Sequence, residues 1–123
     1  MSSQVRITER LHSVNGVMEP QLVLIPTVDM LSDKIRAIEP GSERDLGDIR
    51  EELAREHAVD ITCPITTGKL LKVVAMLSHT AVTMGDPQAI PFWRAVRPDG
   101  PYGEKLAGGR GFIIAQRAKE RAR

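Results

Sequence analysis

The sequence predicts a mainly α-helical domain with a small β-wing, on three observations. Apolar residues recur at helical spacing in three stretches, each bounded by capping and stop residues. A short alternating run follows them. Behind it comes a glycine-rich excursion. At 123 residues the chain has the size of one domain.

Residues 1–25 form an N-terminal arm or a hairpin, in which Asn15-Gly16 suits a two-residue turn and residues 21–25 (QLVLI) read as a strand. The main domain spans residues 26–123. Thr27 caps a first helix with Leu31, Ile35 and Ile38 on one face, and Pro40-Gly41 stops it. A second helix runs from near Asp45 to about His57, with Ile49, Leu53 and His57 as its inward stripe. Thr66 or Thr67 caps a third helix, with Leu70, Leu71, Val74, Leu77 and Ala81 facing inward, and Gly85-Asp86-Pro87 ends it. Residues 92–97 (FWRAVR) alternate as a strand would, and Pro98-Asp99-Gly100 is a turn. Residues 100–111 are glycine-rich, and residues 112–121 form a last helix with a thin apolar face.

Apolar residues make up 41% and charged residues 27%, ordinary values for a soluble globular protein. No stretch approaches the roughly 20 apolar residues of a membrane span, so no membrane partner is expected. The first ten residues carry charges where a signal peptide would be apolar, and the single cysteine excludes an internal disulfide framework. A cytoplasmic location is therefore expected, and a monomer, because no apolar surplus is evident. Cys63 reads as a small buried hydrophobe. His12, His57, His79 and Cys63 lack metal-ligand spacing, and Gly108-Gly109-Arg110-Gly111 lacks the spacing of a nucleotide-binding loop. Neither metal nor cofactor is expected.

Charge is distributed unevenly. Residues 1–62 hold 7 Lys/Arg against 12 Asp/Glu, and residues 94–123 hold 8 against 3. The basic third is either a phosphate-facing surface or a solvated tail. The order helix, helix, loop, helix, strand and glycine-rich loop is that of a winged helix-turn-helix, whose recognition helix enters a DNA groove. In that arrangement Thr66, Thr67 and the first-turn N–H groups hold a phosphate. Lys69 and Lys72 share one edge of the same helix, and Lys105 and Arg110 reach the DNA backbone from the wing. The run Arg117, Lys119, Arg121, Arg123 contacts phosphate or remains solvated.

Residues 90–100 (IPFWRAVRPDG) resemble the active-site strand of the O6-alkylguanine-DNA alkyltransferases, whose pattern is Ile-Pro-Cys-His-Arg-Val-Val, a polar pair and Gly. Pro40-Gly41 and Gly47-Asp48-Ile49 resemble the family's Pro-Gly and Gly-Glu-Ile. Asp86-Pro87 stands for its Asn-Pro hinge, and Ala107-Gly108-Gly109 for its glycine pair. The resemblance covers residues 26–121 and implies the fold of the alkyltransferase C-terminal domain.

The departures from the pattern bear on function. The family's nucleophilic cysteine falls on Phe92 and its activating histidine on Trp93, and neither ring can accept an alkyl group or relay a proton. The nucleotide-rotating tyrosine falls on Leu46. The arginine finger has only Lys69 or Lys72 as its nearest substitutes, and the glutamate of the proton relay falls on Glu120. The resemblance therefore implies a cysteine-less alkyltransferase-like protein that binds double-stranded DNA and recognises alkylated or otherwise modified bases without repair. It would hand them to other DNA-repair proteins. Phe92, Trp93, Arg94, Leu46 and Tyr102 are expected to line the pocket, with Arg94 bridging to a carboxylate or to backbone carbonyls. The alternative is a protein-interaction or small-ligand domain that keeps the fold without DNA binding. An enzyme built on Cys63 is a third reading.

Overall fold

The computed structural model describes residues 5–122 and has a mixed α/β fold of four helices and one small three-stranded sheet. Strands β1 (Arg6–Val14) and β2 (Val17–Ile25) pair antiparallel from Arg6↔Ile25 to Val14↔Val17. Asn15 and Gly16 close them with φ of 52° and 82°, the double positive φ that a two-residue hairpin turn requires. Of the two sequence readings of residues 1–25, the hairpin is the one observed.

Helix α1 (Val28–Arg36) starts where Thr27 Oγ1 accepts the Met30 N–H at 3.2 Å. Helix α2 (Leu46–Glu56) is capped by Asp45, whose carboxylate accepts the Gly47 N–H at 2.9 Å. Lys34 links the two helices through ion pairs with Glu52 and Glu56, and Arg44 adds a 2.9 Å contact to Glu52. His57 is half-buried, with Nδ1 2.9 Å from the Leu53 carbonyl. The two-residue strand β3 (Ile61–Thr62) then pairs parallel with Val23 and Leu24, which roots the hairpin on the helices.

Helix α3 (Pro64–Thr83) begins three or four residues earlier than a cap at Thr66 or Thr67 would have it. Cys63 is the N-cap and Pro64 opens the first turn, where a missing N–H costs nothing. Thr67 is instead buried, and its hydroxyl donates to the Cys63 carbonyl at 2.7 Å. The buried stripe is Thr67, Leu71, Val74, Ala75 and Ser78; it keeps Leu71 and Val74 of the expected one, while Leu70 and Ala81 are half-buried. Leu77 stays 60% exposed.

The strand expected over residues 92–97 is a 3-10 turn (Phe92–Arg94). Pro91 has no N–H to give a ladder, and Phe92, Trp93, Ala95 and Val96 are all buried. That pattern is the spacing of a tight turn, not of a half-buried strand. No strand follows α3 among the described residues, so the only sheet here is the N-terminal one. Helix α4 (Gly109–Arg121) closes the core, starting three residues before Phe112. Phe92, wholly buried, packs edge-on to Trp93 at 5.6 Å and stacks with Phe112 at 5.9 Å. No described helix is long and apolar enough to cross a membrane.

Candidate functional site

The five residues expected in one pocket divide among three environments. Leu46 and Tyr102 line a cleft of about 470 Å³ between the start of α2, Pro64 and residues 95–102. Trp93 and Arg94 line a second, shallower cleft of about 400 Å³ with Arg36, Asp86 and Glu120. Phe92 lines neither, because it sits at the centre of the aromatic cluster.

The first cleft is apolar at Leu46, Ala95 and Val96 and carries Arg50 and Arg97 beside Asp45 and Asp99, with Arg97 3.5 Å from Asp99. Arg50 accepts the Thr62 hydroxyl at 2.8 Å through its carbonyl, and its side chain makes no ion pair or hydrogen bond among the described residues. Arg50 was not expected in the pocket, yet it lies four residues after Leu46 and so on the same helix face, a spacing that could have marked it. Gly68 on α3 positions Tyr102, since a Cβ there would lie 2.4 Å from the Tyr102 hydroxyl. Further along α3, a Cβ on Gly108 would lie 2.7 Å from the His79 ring, and its φ of 87° also requires glycine. Between these two contacts the loop runs beside α3, with Lys105 exposed on it and Lys69 and Lys72 exposed on the helix. None of these three lysines has an ion-pair partner among the described residues. Arg110 is engaged instead, donating to the Pro98 carbonyl at 2.8 Å and lying 3.3 Å from Glu104. Thr66 donates its hydroxyl to the Cys63 thiol, and buried Thr67 faces the Cys63 carbonyl.

The second cleft holds a hydrogen-bonded core. Arg94 meets Glu120 at 2.6 Å and donates to the Ile38 carbonyl at 2.7 Å, the bridging task expected of it. Burial alone would push the Glu120 carboxyl up. Hydrogen bonds from Arg94 and the Gly41 N–H, with the Trp93 indole nearby, overcome it and hold the group below the usual carboxylate range. The Trp93 N–H is close enough to contribute to that field but makes no well-aligned hydrogen bond. Arg117, expected at a basic tail, is instead half-buried and donates to the carbonyls of Trp93 and Val96.

The Cys63 thiol is half-buried and accepts the Thr66 N–H at 3.5 Å. Burial would raise it, but the hydroxyl and N–H of Thr66 and the Ile65 N–H bring it below the usual thiol range. Neither cleft counts a thiol or a histidine among its lining residues, and no group of three or more His, Cys, Asp or Glu side chains able to hold a metal occurs among the described residues. Comparison with family models, curated proteins and solved structures gives no significant match.

Proposed function

We propose that this chain is a non-catalytic DNA-binding protein of the alkyltransferase-like type, with α2 and α3 used as a helix-turn-helix and the loop over residues 95–108 in the place of a wing. In this reading a modified base enters the Leu46–Tyr102 cleft and the alkyl group stays on the base. That cleft is the observation that carries the proposal. Its volume of about 470 Å³ is that of a small-ligand site, and it is lined by apolar residues, the Tyr102 ring, two arginines and two aspartates. A flipped base needs a wall to stack on, and its phosphates need cations outside. Tyr102 offers the ring, and Arg50, Arg97, Lys69, Lys72 and Lys105 offer charge. Phe92 replaces the family's nucleophile and is buried away from the cleft, so nothing in this reading accepts an alkyl group.

A second reading, a protein-interaction role, is favoured by the large apolar side chains that β1, β2 and α3 leave in solvent. The two separate in an anisotropy titration of labelled duplexes, plain and containing O6-methylguanine, with the protein's mass followed in parallel. Tighter binding of the modified duplex at unchanged mass supports the first reading. No binding at low salt removes it.

A further inference from the structure

Two surfaces of the chain keep large apolar side chains in water. The first is one face of the hairpin. Pairing of Ile7 with Leu24, Glu9 with Leu22, Leu11 with Pro20 and Ser13 with Met18 puts these residues on the same side. Ile7, Leu11, Met18 and Leu22 on that side are 41–62% exposed, and Glu9 is its only charge. Leu24, at the root, is the one member that reaches the core. The opposite face carries Arg6, Arg10, His12 and Glu19. An isolated two-stranded ribbon is marginal in water, and an uncovered apolar face marks an interaction surface.

The second is the outer side of α3. Ile65, Val73, Met76, Leu77 and Met84 are 42–80% exposed. With Lys69 and Lys72 they fall within an arc of about 140° at 100° per residue, opposite the buried stripe. All the charge on this surface is positive.

The two surfaces match. Nine-residue strands run about 30 Å, and so does a 20-residue helix. One carries a carboxylate amid apolar residues, the other carries two ammonium groups. Within one molecule they do not cover each other, since both remain exposed. We propose that they cover each other between two copies, the hairpin of each lying along α3 of the other in a two-fold symmetric arm exchange. Face-to-face hairpins would oppose two Glu9 carboxylates, and face-to-face helices would oppose lysines. Only hairpin on helix pairs opposite charges. Nine large apolar side chains of each copy then leave water, on the order of the ~1,000 Å² that a stable interface needs.

This proposal does not rest on the DNA reading: in the dimer Lys69 and Lys72 face Glu9 of the second copy, which leaves Arg50, Arg97 and Lys105 for phosphates, and its test contains no DNA. Light scattering during size exclusion of the full chain at about 50 μM should give twice the 13.6 kDa of one copy. Leu11→Arg on the hairpin and Met76→Glu on the helix change exposed residues, so circular dichroism should stay unaltered while each variant alone becomes monomeric. Mixing the two variants should restore dimers, with a dissociation constant about tenfold or more above that of the unaltered chain. The mixture keeps one intact hairpin-on-helix contact, and in the other the two introduced charges are opposite. Glu9→Lys should weaken the dimer, and adding Lys69→Glu and Lys72→Glu should recover it. A monomer up to about 100 μM, a dimer indifferent to both variants, or a mixture that stays monomeric would overturn the proposal.

Discussion

Arg94 grips Glu120 through N–O contacts of 2.6, 3.0 and 3.1 Å, and so ties the turn after Pro91 to the last helix. Their side chains are only 12% and 7% exposed, and the remaining guanidinium contact goes to the Ile38 carbonyl. The glutamate that the resemblance assigns to a proton relay therefore holds an arginine and lies beside an indole.

Removing the charge of Glu120 should leave Arg94 buried without its counter-ion. Glu120→Gln is expected to lower stability by about 3 kcal/mol in urea denaturation at neutral pH. Because the carboxyl is held below its ordinary value, its contribution is present above the unfolded value of about 4.3 and is lost as pH falls through the folded one. The unaltered chain should lose stability steeply below about pH 4.5, and Glu120→Gln should show a shallower acid limb. Parallel acid limbs would contradict this.

Tyr102 and Gly68 should behave as a coupled pair. Gly68→Ala alone brings a methyl group to 2.4 Å from the Tyr102 hydroxyl, whereas the nearest ring carbon stays at 3.4 Å, an ordinary contact. The substitution should therefore destabilise in the native background. With Tyr102→Phe it should become stabilising by about 1 kcal/mol, the helix-propensity gain of Ala over Gly. Additive effects in the double-mutant cycle would show that the hydroxyl does not fix the loop.

The parts of this fold legible in the sequence are those set by local chemistry. Asn15-Gly16, Thr27 and Asp45 each satisfy nearby backbone by turn or cap geometry, and each does so where the sequence puts it. Long-range choices were not legible. Leu77 fits a helical stripe as well as Ala75 and Ser78 do, but the core takes Ala75 and Ser78 and leaves Leu77 exposed. FWRAVR alternates as a strand would, yet Pro91 and the pull of Arg94 and Arg117 on surrounding groups fold it into a turn. The candidate pocket was legible only in part. Leu46 and Tyr102 converge across 56 residues, whereas Phe92 and Trp93 go to the core because adjacent aromatic rings pack on each other.

A cysteine placed where the resemblance puts the nucleophile should not create alkyl-transfer chemistry. Phe92→Cys leaves a void at a wholly buried position and should cost about 3 kcal/mol. In the folded variant the new thiol should resist thiol reagents and gain no mass from O6-methylguanine duplex. Rapid labelling there under native conditions would mean that the position opens to solvent.

Cys63 should act as a helix cap with an acidified thiol. Cys63→Ala is expected to cost about 1 kcal/mol, and Cys63→Ser, which keeps an acceptor, much less. The pH midpoint of its alkylation by iodoacetamide should lie below the ~8.5 of a free cysteine, in keeping with its hydrogen bonds from Thr66. A midpoint at or above that value would contradict the capping geometry.

Recognition of a modified base without transfer shows in the ratio of two dissociation constants. Fluorescence anisotropy of end-labelled duplexes is suited to this, since Trp93 is buried and reports on the core. At low salt the chain is predicted to bind the O6-methylguanine duplex about tenfold or more tighter than plain duplex, with both affinities falling as salt rises. Leu46→Trp, which fills the cleft, should abolish the preference while plain-duplex binding persists. Equal affinity for the two duplexes, or no binding to either at low salt, would contradict the account.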